Sequence, residues 1–401
     1  MPEPRIVVMS SLFPSPARPN AGVFIRERMF RVAKHLPVTV VSPQPWFPGQ
    51  GLIRRFRPGY RPAAPRHEIM DGIDVFRPRF LSVPGIGRSL DGLSMAVCTL
   101  ATVQRLRRER GVNLIDAHFA HPDGEAAVRI GRWLKLPVAV TLRGTEVPHS
   151  RQPQLRPRIS RTLQQADRVF SVSDSLRQLA LELGASPERM QVIGNGVDLQ
   201  RFFPVDRTQA RRALNLAPSA RVLISVGGLV ERKGMHRVIE CLPALVAIYP
   251  DLVYLIVGGP SPEGDLTAEL QDQVVRAGLQ SHVRFLGPLA PDALRAPLSA
   301  ADVFVLATRN EGWANVFLEA MACGLPVVTT DVGGNREVVC SPELGMVVPF
   351  GDAVALTGAI DAALSKHWDP AKIRAYAEDN AWDHRIATLV AAYRTLVGPA
   401  A

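Results

Sequence analysis

The 401-residue sequence has few cysteines, few aromatic residues and no long apolar run. Its four cysteines are far apart and show no metal-ligand spacing, which is typical of free thiols in a reducing compartment. The longest helix-compatible run without charge, proline or glycine, Leu93–Gln104, falls far short of the roughly 20 residues of a membrane-spanning helix. The apolar run that follows Arg5 is only four residues long, Ile6–Met9. A run this short predicts a buried strand rather than the apolar region of a secretory signal. We therefore expect a soluble, cytosolic protein.

The chain also lacks several motifs that bind metals, dinucleotides or nucleic acids. No strict Asp-x-Asp occurs, which favours protein cations over Mg²⁺ for binding a phosphate, so no metal and no cofactor is expected. No clean Gly-x-Gly-x-x-Gly follows an early strand, which disfavours an NAD-dependent enzyme. No RNP, KH or zinc-finger pattern is present and aromatic residues make up only 6%, so we expect no nucleic-acid partner.

Charge is distributed unevenly along the sequence. Residues 1–205 contain 30 Lys+Arg and 16 Asp+Glu, a net +14, whereas the remainder contains 17 and 21, a net −4. The basic half indicates an anionic partner, and an anionic membrane surface fits because each clustered arginine contributes about 1 kcal/mol there. A genome rich in G and C, which favours arginine, explains the same excess. Within this half, the proline-rich segment Pro43–Pro65 mixes arginines with aromatic residues, which predicts either a mobile loop that contacts a membrane or acceptor, or a solvated connector.

The hydrophobic pattern alternates short β-rich runs with longer helical stretches, which is typical of parallel sheets covered by helices. We predict an α/β protein with two doubly wound Rossmann-like domains facing an interdomain cleft, and a ligand site at the carboxyl ends of the strands. The boundary is predicted near Gly194–Pro218, where turn formers interrupt the pattern. Strands are predicted at Ile6–Met9, Val38–Val41, Val75–Pro78, Leu114–Ala117, Val138–Leu142, Arg168–Val172, Arg221–Val226, Val253–Val257, Val283–Leu286, Val303–Leu306, Val327–Thr330 and Met346–Val348.

The most informative motif begins at Glu311, in the loop that follows the predicted strand Val303–Leu306. Asn315 is expected to cap a helix that runs to Cys323, and Gly324 is expected to end it. Glu311 and Glu319 would then flank a helix N-terminus whose free amides suit phosphate or sugar oxygens. A carboxylate accepts hydrogen bonds from two vicinal hydroxyls, as a bound sugar requires. The other interpretation is a capped surface helix with solvated glutamates.

This stretch resembles the C-terminal signature of the retaining glycosyltransferases of family 4, which have the GT-B fold. The resemblance implies that Glu319 binds the ribose of the donor nucleotide and that Glu311 reaches the transferred sugar. It also implies that backbone amides around Asn315 and Val316 hold the sugar and phosphate. The expected reaction is the transfer of a hexose-type sugar, with retention, from a nucleotide-sugar to a lipid-linked or growing polysaccharide acceptor.

A second cluster, Gly227 to Gly234, lies between a predicted strand and a predicted helix. Its glycines permit close approach of an anion, while Arg232 and Lys233 supply positive charge for a departing diphosphate. A tight turn with solvated basic residues is the alternative. The family pattern is Gly-Arg followed by Lys-Gly; Lys233 matches it, but Gly228 stands at the arginine position. Either Arg232 supplies the second charge or Lys233 acts alone.

In the basic half, Asp116 lies near the end of the predicted strand Leu114–Ala117, His118 directly follows it, and His121 comes soon after. These side chains fit a metal site, a hydrogen-bonded structural histidine, or, by the family resemblance, a contact between His118 and the transferred sugar. Arg143 and Glu146 depart from the family stretch Thr-x-His-Gly-x-Asp at the end of the next strand. Arg143 is expected either to bind a phosphate or acidic acceptor, or to pair with Glu146.

Gly22 is placed by resemblance at the start of the first helix, where it would let an amide reach the diphosphate. The stretch that carries this resemblance runs through Asn20 and is also compatible with an ordinary loop.

Together these features predict a metal-independent GT-B glycosyltransferase. An N-terminal acceptor domain would cover 1–195 and, as the resemblance implies, be completed by a C-terminal helix at about 380–397; a donor domain would cover 196–379. The protein would be cytoplasmic, with a peripheral position at the inner membrane face as an extension of that prediction. The alternatives are a nucleotide-sugar 2-epimerase of similar architecture and a nonenzymatic module that binds anionic surfaces.

Overall fold

The structure is a computed structural model that describes residues 3–19, 21–57, 60–85, 87–261 and 263–398. Asn20, and Pro58 and Gly59 of the proline-rich segment, therefore lie outside the described residues. The chain divides into two compact units: the first is Met1–Asn195 with Arg385–Ala401, and the second is Gly196–His384. Among the described residues, none of the helices combines the length and apolarity needed to cross a membrane.

The first unit contains an eight-stranded sheet in the order β10-β9-β8-β7-β1-β2-β5-β4, in which only β4 runs antiparallel to its neighbour, and a separate parallel pair, β3 and β6. Its strands are β1 Ile6–Met9, β2 Val38–Val41, β3 Gln44–Trp46, β4 His67–Met70, β5 Ile73–Phe76, β6 Arg79–Leu81, β7 Leu114–His118, β8 Val138–Leu142, β9 Arg168–Ser171 and β10 Met190–Val192. Its α-helices are α1 Val23–Val32, α2 Gln50–Phe56, α3 Asp91–Arg110, α4 Glu125–Leu134, α5 Glu146–Ser150, α6 Arg156–Gln165 and α7 Asp174–Glu182.

The second unit contains a six-stranded parallel sheet in the order β13-β12-β11-β14-β15-β16. Its strands are β11 Val222–Val226, β12 Val253–Val257, β13 Val283–Gly287, β14 Val303–Leu306, β15 Val327–Thr330 and β16 Gly345–Val348. Its α-helices are α8 Arg207–Ala213, α9 Met235–Ile248, α10 Thr267–Arg276, α11 Arg295–Ala300, α12 Asn315–Ala322, α13 Asn335–Val338, α14 Ala353–Ser365 and α15 Pro370–Asp379, and the final helix of the chain is α16 Trp382–Val397.

The central strands are short, β-branched and buried on both faces. All four residues of β1 and of β14 are buried, as parallel strands covered by helices require. Each of these strands delivers the chain into a loop at its carboxyl end, so neighbouring strands bring separate loops to one edge of the sheet. In each unit, the candidate site described below lies at this edge of that unit's own sheet.

The twelve predicted strands coincide with observed strands to within two residues at each end. The α/β class with two Rossmann-like units is confirmed. The sequence analysis missed β3, β4, β6 and β10 because these strands are short and partly exposed, and therefore lack a continuous apolar run. The segment Pro43–Pro65, predicted to be irregular, contains β3 and α2. Of the cysteines, Cys98 and Cys340 are exposed, whereas the thiols of Cys241 and Cys323 are buried.

Candidate functional site

Four adjacent strands of the second unit end in loops that carry most of the predicted donor-site residues. Strand β11 leads to Arg232 and Lys233, and β14 leads to Glu311. The outer neighbours β12 and β15 lead to Glu263 and Gly333. Because these strands are parallel and adjacent, their loops meet at one edge of the sheet. The two clusters that the sequence analysis identified separately are therefore parts of one site.

Glu311 is the acidic centre of this site. Lys233 Nζ forms an ion pair with Glu311 Oε1, and Arg232 Nη1 donates to the same oxygen at 3.2 Å. Arg232 Nη1 also donates to the carbonyl of Asn310 at 2.9 Å. The side chains of Lys233, Glu311 and Arg232 keep 16%, 11% and 26% of their surface exposed, so the pair of cations is accessible to an anion of the right geometry.

Arg232 has a second carboxylate partner, Glu263, which the sequence analysis did not identify. Arg232 Nη2 and Nε donate to the Glu263 carboxylate at 2.6 and 2.8 Å. The hydrogen bond to Glu263 raises the pKa of the Arg232 guanidinium, and the Glu311 charge also raises it against the effect of burial. The same contact lowers the pKa of Glu263. The available signal was positional: Glu263 follows a strand that adjoins β11.

Glycines allow the loops of this site to approach one another. Gly234 has φ +77°, and a Cβ there would overlap the carbonyl oxygen of Ala307. Gly333 has φ +52°, and a Cβ there would overlap the carbonyl oxygen of Glu311. At Gly228 a Cβ would lie 3.1 Å from Ser261 Cβ, so a side chain at that position requires the neighbouring loop to move. The position where the family pattern has an arginine is therefore closely packed against the neighbouring loop in this chain.

Helix α12 begins at Asn315, which corrects one prediction. Asn315 is the first helical residue, and the preceding Ala314, with the non-helical φ −85° and ψ 87°, is the N-cap residue. The predicted cap position was therefore wrong by one residue, because a residue with a good capping side chain need not stand where the backbone turns. Glu319 and Val316 are half-buried on this helix. Gly324 has φ +78°, as expected for the residue that ends it.

In the first unit, His118 lies in a buried polar network rather than at an open surface. Arg143 Nη2 and Nε lie 3.0 and 3.2 Å from His118 Nδ1. His118 Nε2 lies 3.3 Å from Asp116 Oδ2, and the Tyr393 hydroxyl donates to the same oxygen at 2.7 Å. Asp116 and His118 are 0% exposed. Tyr393 belongs to α16, whose residues from Arg385 onward are part of this unit.

This environment fixes the protonation state of the His118 ring. Burial lowers the pKa of His118 to about 4, which Asp116 opposes and the charge of Arg143 reinforces. Because two Arg143 N–H groups point at Nδ1, that nitrogen is the acceptor and the ring proton sits on Nε2, which lies near Asp116 but has no hydrogen-bond partner among the described residues. His118 is thus neutral at physiological pH and positions the Arg143 guanidinium.

Arg143 does not pair with Glu146 through its guanidinium, which corrects one of the two expectations for this residue. Its Nη1 donates to Asn195 Oδ1 at 2.9 Å. The Glu146 carboxylate instead accepts from the backbone amides of Arg143 and Gly144 at 3.1 and 2.8 Å, and from that of Ala120 at 3.0 Å. Glu146 therefore ties two strand-end loops together.

The remaining predicted residues of the first unit have clear local roles. Gly22 has φ +69° at the start of α1, and a Cβ there would overlap the carbonyl oxygen of Leu12, so the turn requires glycine. His121 is directed away from His118, because its Nδ1 lies 3.1 Å from Glu125 Oε2 and its Nε2 lies 3.1 Å from the Arg88 carbonyl. In the part of the chain that the structure describes, no group of three or more His, Cys, Asp and Glu side chains is arranged to hold a metal ion.

Asp123 is a buried carboxyl that the sequence analysis did not single out. It is 0% exposed, and it accepts hydrogen bonds from Ser11 N at 2.5 Å and from Ser11 Oγ at 2.9 Å. Burial raises the pKa of Asp123 to about 7, although the Ser11 contacts lower it. The carboxyl therefore joins the loop after β7 to the end of β1.

Two family descriptions match adjacent parts of the chain: Glycosyltransferase Family 4 at residues 52–201 and Glycosyl transferases group 1 at residues 206–380. The chain is also 31% identical over 339 residues to the teichuronic acid biosynthesis glycosyltransferase TuaC of Bacillus subtilis, covering 82% of each protein. The chain belongs to the family 4 glycosyltransferases. The predicted transferase activity class is confirmed by this membership.

Other relatives of this family 4 glycosyltransferase match over a shorter length. The D-inositol 3-phosphate glycosyltransferase of Geodermatophilus obscurus is 36% identical over 252 residues, which covers 60% of this chain and 56% of that protein. The chain thus aligns with little more than half of that relative.

Solved structures support the GT-B fold of this glycosyltransferase. Sucrose-phosphate synthase from Thermosynechococcus elongatus superposes with a TM-score of 0.76 at 22% identity, over 98% of this chain and 99% of that chain. Anabaena Alr3699/HepE in complex with UDP superposes with a TM-score of 0.74 at 20% identity, over 98% of this chain and 100% of that chain.

Proposed function

We propose that this family 4 glycosyltransferase transfers a hexose-type sugar, with retention at the anomeric carbon, from a nucleotide-sugar bound by the second unit. The observation that carries the proposal is the convergence of Lys233, Arg232 and Glu311 at the carboxyl ends of adjacent strands. A leaving diphosphate needs this combination of positive charge and close backbone approach.

The two cations would bind the diphosphate by exchanging protein oxygens for phosphate oxygens. Lys233 and Arg232 share Glu311 Oε1, so phosphate binding would release that carboxylate toward the sugar. Amide groups at the start of α12, near Asn315 and Val316, would hold further oxygens. In this proposal Arg232 supplies the positive charge that other family members are expected to supply with an arginine at the position of Gly228.

Glu319 would accept hydrogen bonds from the vicinal hydroxyls of the ribose, for which a carboxylate is well suited. In the first unit, Gly22 would present an amide to the diphosphate and Arg143 would bind a phosphate or acidic acceptor. His118, whose ring is buried, would hold Arg143 in place, and a contact with the transferred sugar would require that ring to become exposed. These roles remain predictions, since they come from the family resemblance and from local geometry.

The proposed reaction proceeds by positioning rather than through a protein nucleophile. The bond between the anomeric carbon and the diphosphate oxygen breaks, and the acceptor hydroxyl oxygen forms its bond on the same face of the sugar. The hydroxyl proton passes to the departing phosphate oxygen, whose charge Lys233 stabilises. Protein cations thereby serve the role that a divalent metal serves in other transferases.

The first unit would bind the acceptor. Its net basic charge favours an anionic acceptor, such as a lipid-linked or growing polysaccharide at the inner membrane face. The names of two relatives, which refer to inositol 3-phosphate and to teichuronic acid biosynthesis, favour a polyol or saccharide acceptor.

Calorimetric titration of UDP, GDP and ADP into the wild-type protein and the Glu319→Ala variant tests the donor assignment. UDP is the first choice because a protein of the same fold has been solved with it. We expect about tenfold weaker binding of the preferred nucleotide to Glu319→Ala, because a charge-assisted hydrogen bond to the ribose is lost. The matched control is Glu269→Ala, which removes an exposed glutamate of α10. Equal affinities of the two variants would remove the ribose contact from the proposal.

A further inference from the structure

An arginine-rich pocket of the first unit is not used by the proposed donor chemistry. This pocket has a volume of about 540 Å³, and seven arginines line it. Among the described residues around it, Asp91 is the only acidic one. Such a concentration of one charge around a cavity raises the local concentration of anions and is costly without a counter-charge.

Three of the seven arginines form the framework of the pocket. Arg77 is buried and pairs with Glu68 at 2.5 Å, while its Nη2 also donates to the Pro14 carbonyl at 2.8 Å. Arg54 and Arg61 are half-buried and donate to backbone carbonyl oxygens, including that of Ser82 for Arg61. Arg77 alone of the seven has an ion pair with a described residue, so the cavity keeps a large positive charge.

The other four arginines are exposed and form no hydrogen bond through the side chain, and no ion pair, with any described residue. They are Arg18, Arg66, Arg79 and Arg88. Because they come from four separate segments of the chain, their presence around one cavity does not follow from a local run of basic residues. A guanidinium presents paired N–H donors that match a phosphate or carboxylate.

A buried amide gives a second, independent indication of a ligand. Gln50 lines the same pocket and is only 3% exposed, yet its Oε1 has no hydrogen-bond partner among the described residues. A buried polar atom without a partner destabilises the fold unless a ligand or water satisfies it. A ligand hydroxyl would satisfy this oxygen, whereas a bare anion would not. Trp46 and Tyr60 also line the cavity and offer apolar surface to a ring.

The pocket reaches the edge of the sheet where chemistry is expected. Ser11, which follows β1, and Pro122, which follows β7, both line it. In doubly wound sheets, ligands bind outside the carboxyl ends of the strands. A ligand in this pocket is therefore placed at the functional edge rather than on a remote surface.

We infer that this pocket binds the phosphate of a phosphorylated sugar or polyol acceptor, with the arginines on the phosphate and Gln50 on a hydroxyl. The role of the ligand as an acceptor rests on the proposed function, but the evidence for the binding site comes from residues of the first unit alone. It also gives the proline-rich segment, which contributes Gln50, Arg54 and Arg61, a specific task.

Binding measurements on the full chain test the inference. The probes are inositol 3-phosphate, uncharged inositol, and phosphatidylcholine vesicles with or without polyprenyl phosphate. The variant Arg18→Gln/Arg88→Gln removes two exposed guanidinium groups that line this pocket. The matched control Arg55→Gln/Arg57→Gln makes the same charge change at exposed positions of the same unit that do not line it.

We expect a phosphate-bearing probe to bind more tightly than its uncharged counterpart, and to bind at least tenfold more weakly to the pocket variant than to the control. Binding of inositol 3-phosphate indicates a soluble acceptor, whereas binding of only the polyprenyl phosphate vesicles indicates a lipid-linked one. Equal binding to both variants, or no preference for phosphate, overturns the inference. Titration of UDP, GDP and ADP in parallel separates this result from the proposed function: nucleotide binding that persists in the pocket variant leaves the donor site intact, and no binding of any of the three to the wild type refutes the donor site alone.

Discussion

The two units place charged residues at the same kind of position, the carboxyl end of a central parallel strand, with opposite results. In the second unit, Lys233 and Glu311 remain partly exposed. In the first unit, Asp116 and His118 are completely enclosed and Arg143 is 9% exposed. A strand-end motif therefore predicts where a side chain stands but not whether a substrate can reach it.

The difference in exposure arises from which parts of the chain supply the hydrogen-bond and ion-pair partners of these charged residues. Glu311 is neutralised by cations from a neighbouring loop at the same sheet edge, so its site stays open on the remaining side. Asp116 accepts from Tyr393, 277 positions later in the chain, while His118 is closed off by Arg143. Long-range partners of this kind leave no trace in local spacing.

Lys233→Ala is the largest expected test of this comparison. If the open site carries the chemistry, the loss of the charge that stabilises the leaving phosphate should lower kcat by about 10²–10³. The measurement is the initial rate of sugar transfer at saturating donor and acceptor. Lys372→Ala removes an exposed lysine of α15 whose side chain forms no hydrogen bond or ion pair with any described residue, and it should keep the wild-type rate. A normal rate for Lys233→Ala would contradict the phosphate assignment.

Tyr393→Phe should mainly affect stability, since it removes the donor from a buried carboxylate. We expect the free energy of unfolding to fall by about 1–3 kcal/mol, measured by urea denaturation. The control Tyr249→Phe removes a half-buried hydroxyl of the second unit that contacts Asp361 at 2.8 Å and should cost less. An equal decrease in the free energy of unfolding for both variants would show that the enclosed hydrogen bond contributes no more to stability than the half-buried one.

A pH dependence of stability is also expected from the first unit. Since burial raises the pKa of Asp123 to about 7, the folded protein holds a proton there that the unfolded chain releases near pH 4. The free energy of unfolding should therefore decrease as the pH rises from about 4 to about 7, by at most about 1.4 kcal/mol per pH unit from this group. Asp123→Asn should remove this contribution, so the stability of the variant relative to the wild type should increase as the pH rises from about 4 to about 7.

His118 acts in the opposite sense over part of the same range. The pKa of His118 is about 4 in the folded protein, so the unfolded chain takes up the proton first, and stability is lost as the pH falls from about 6.5 to about 4. Urea denaturation at several pH values, with exposed Asp272→Asn as the control, separates the two contributions. An Asp123→Asn profile parallel to that of the control would exclude an effect of Asp123.

The sequence predicted the central strands because burial on both faces leaves a continuous apolar run, as in β1 and β14. It also singled out Lys233 and Glu311 as separate candidates, and the structure brings them together because β11 and β14 are neighbours in the sheet. It missed Glu263, because the loop after β12 carries no pattern of its own, and it misplaced the cap of α12, which the backbone at Ala314 determines. The enclosure of His118 depends on packing that spacing does not encode.

The contact between Tyr393 and Asp116 also bears on synthesis. A ribosome synthesises the strands of the first unit long before α16, so Asp116 is made well before the tyrosine that donates to it. The first unit therefore lacks the hydrogen bond between Tyr393 and Asp116 while the second unit is being translated, and it can complete its folding only after α16 has been synthesised.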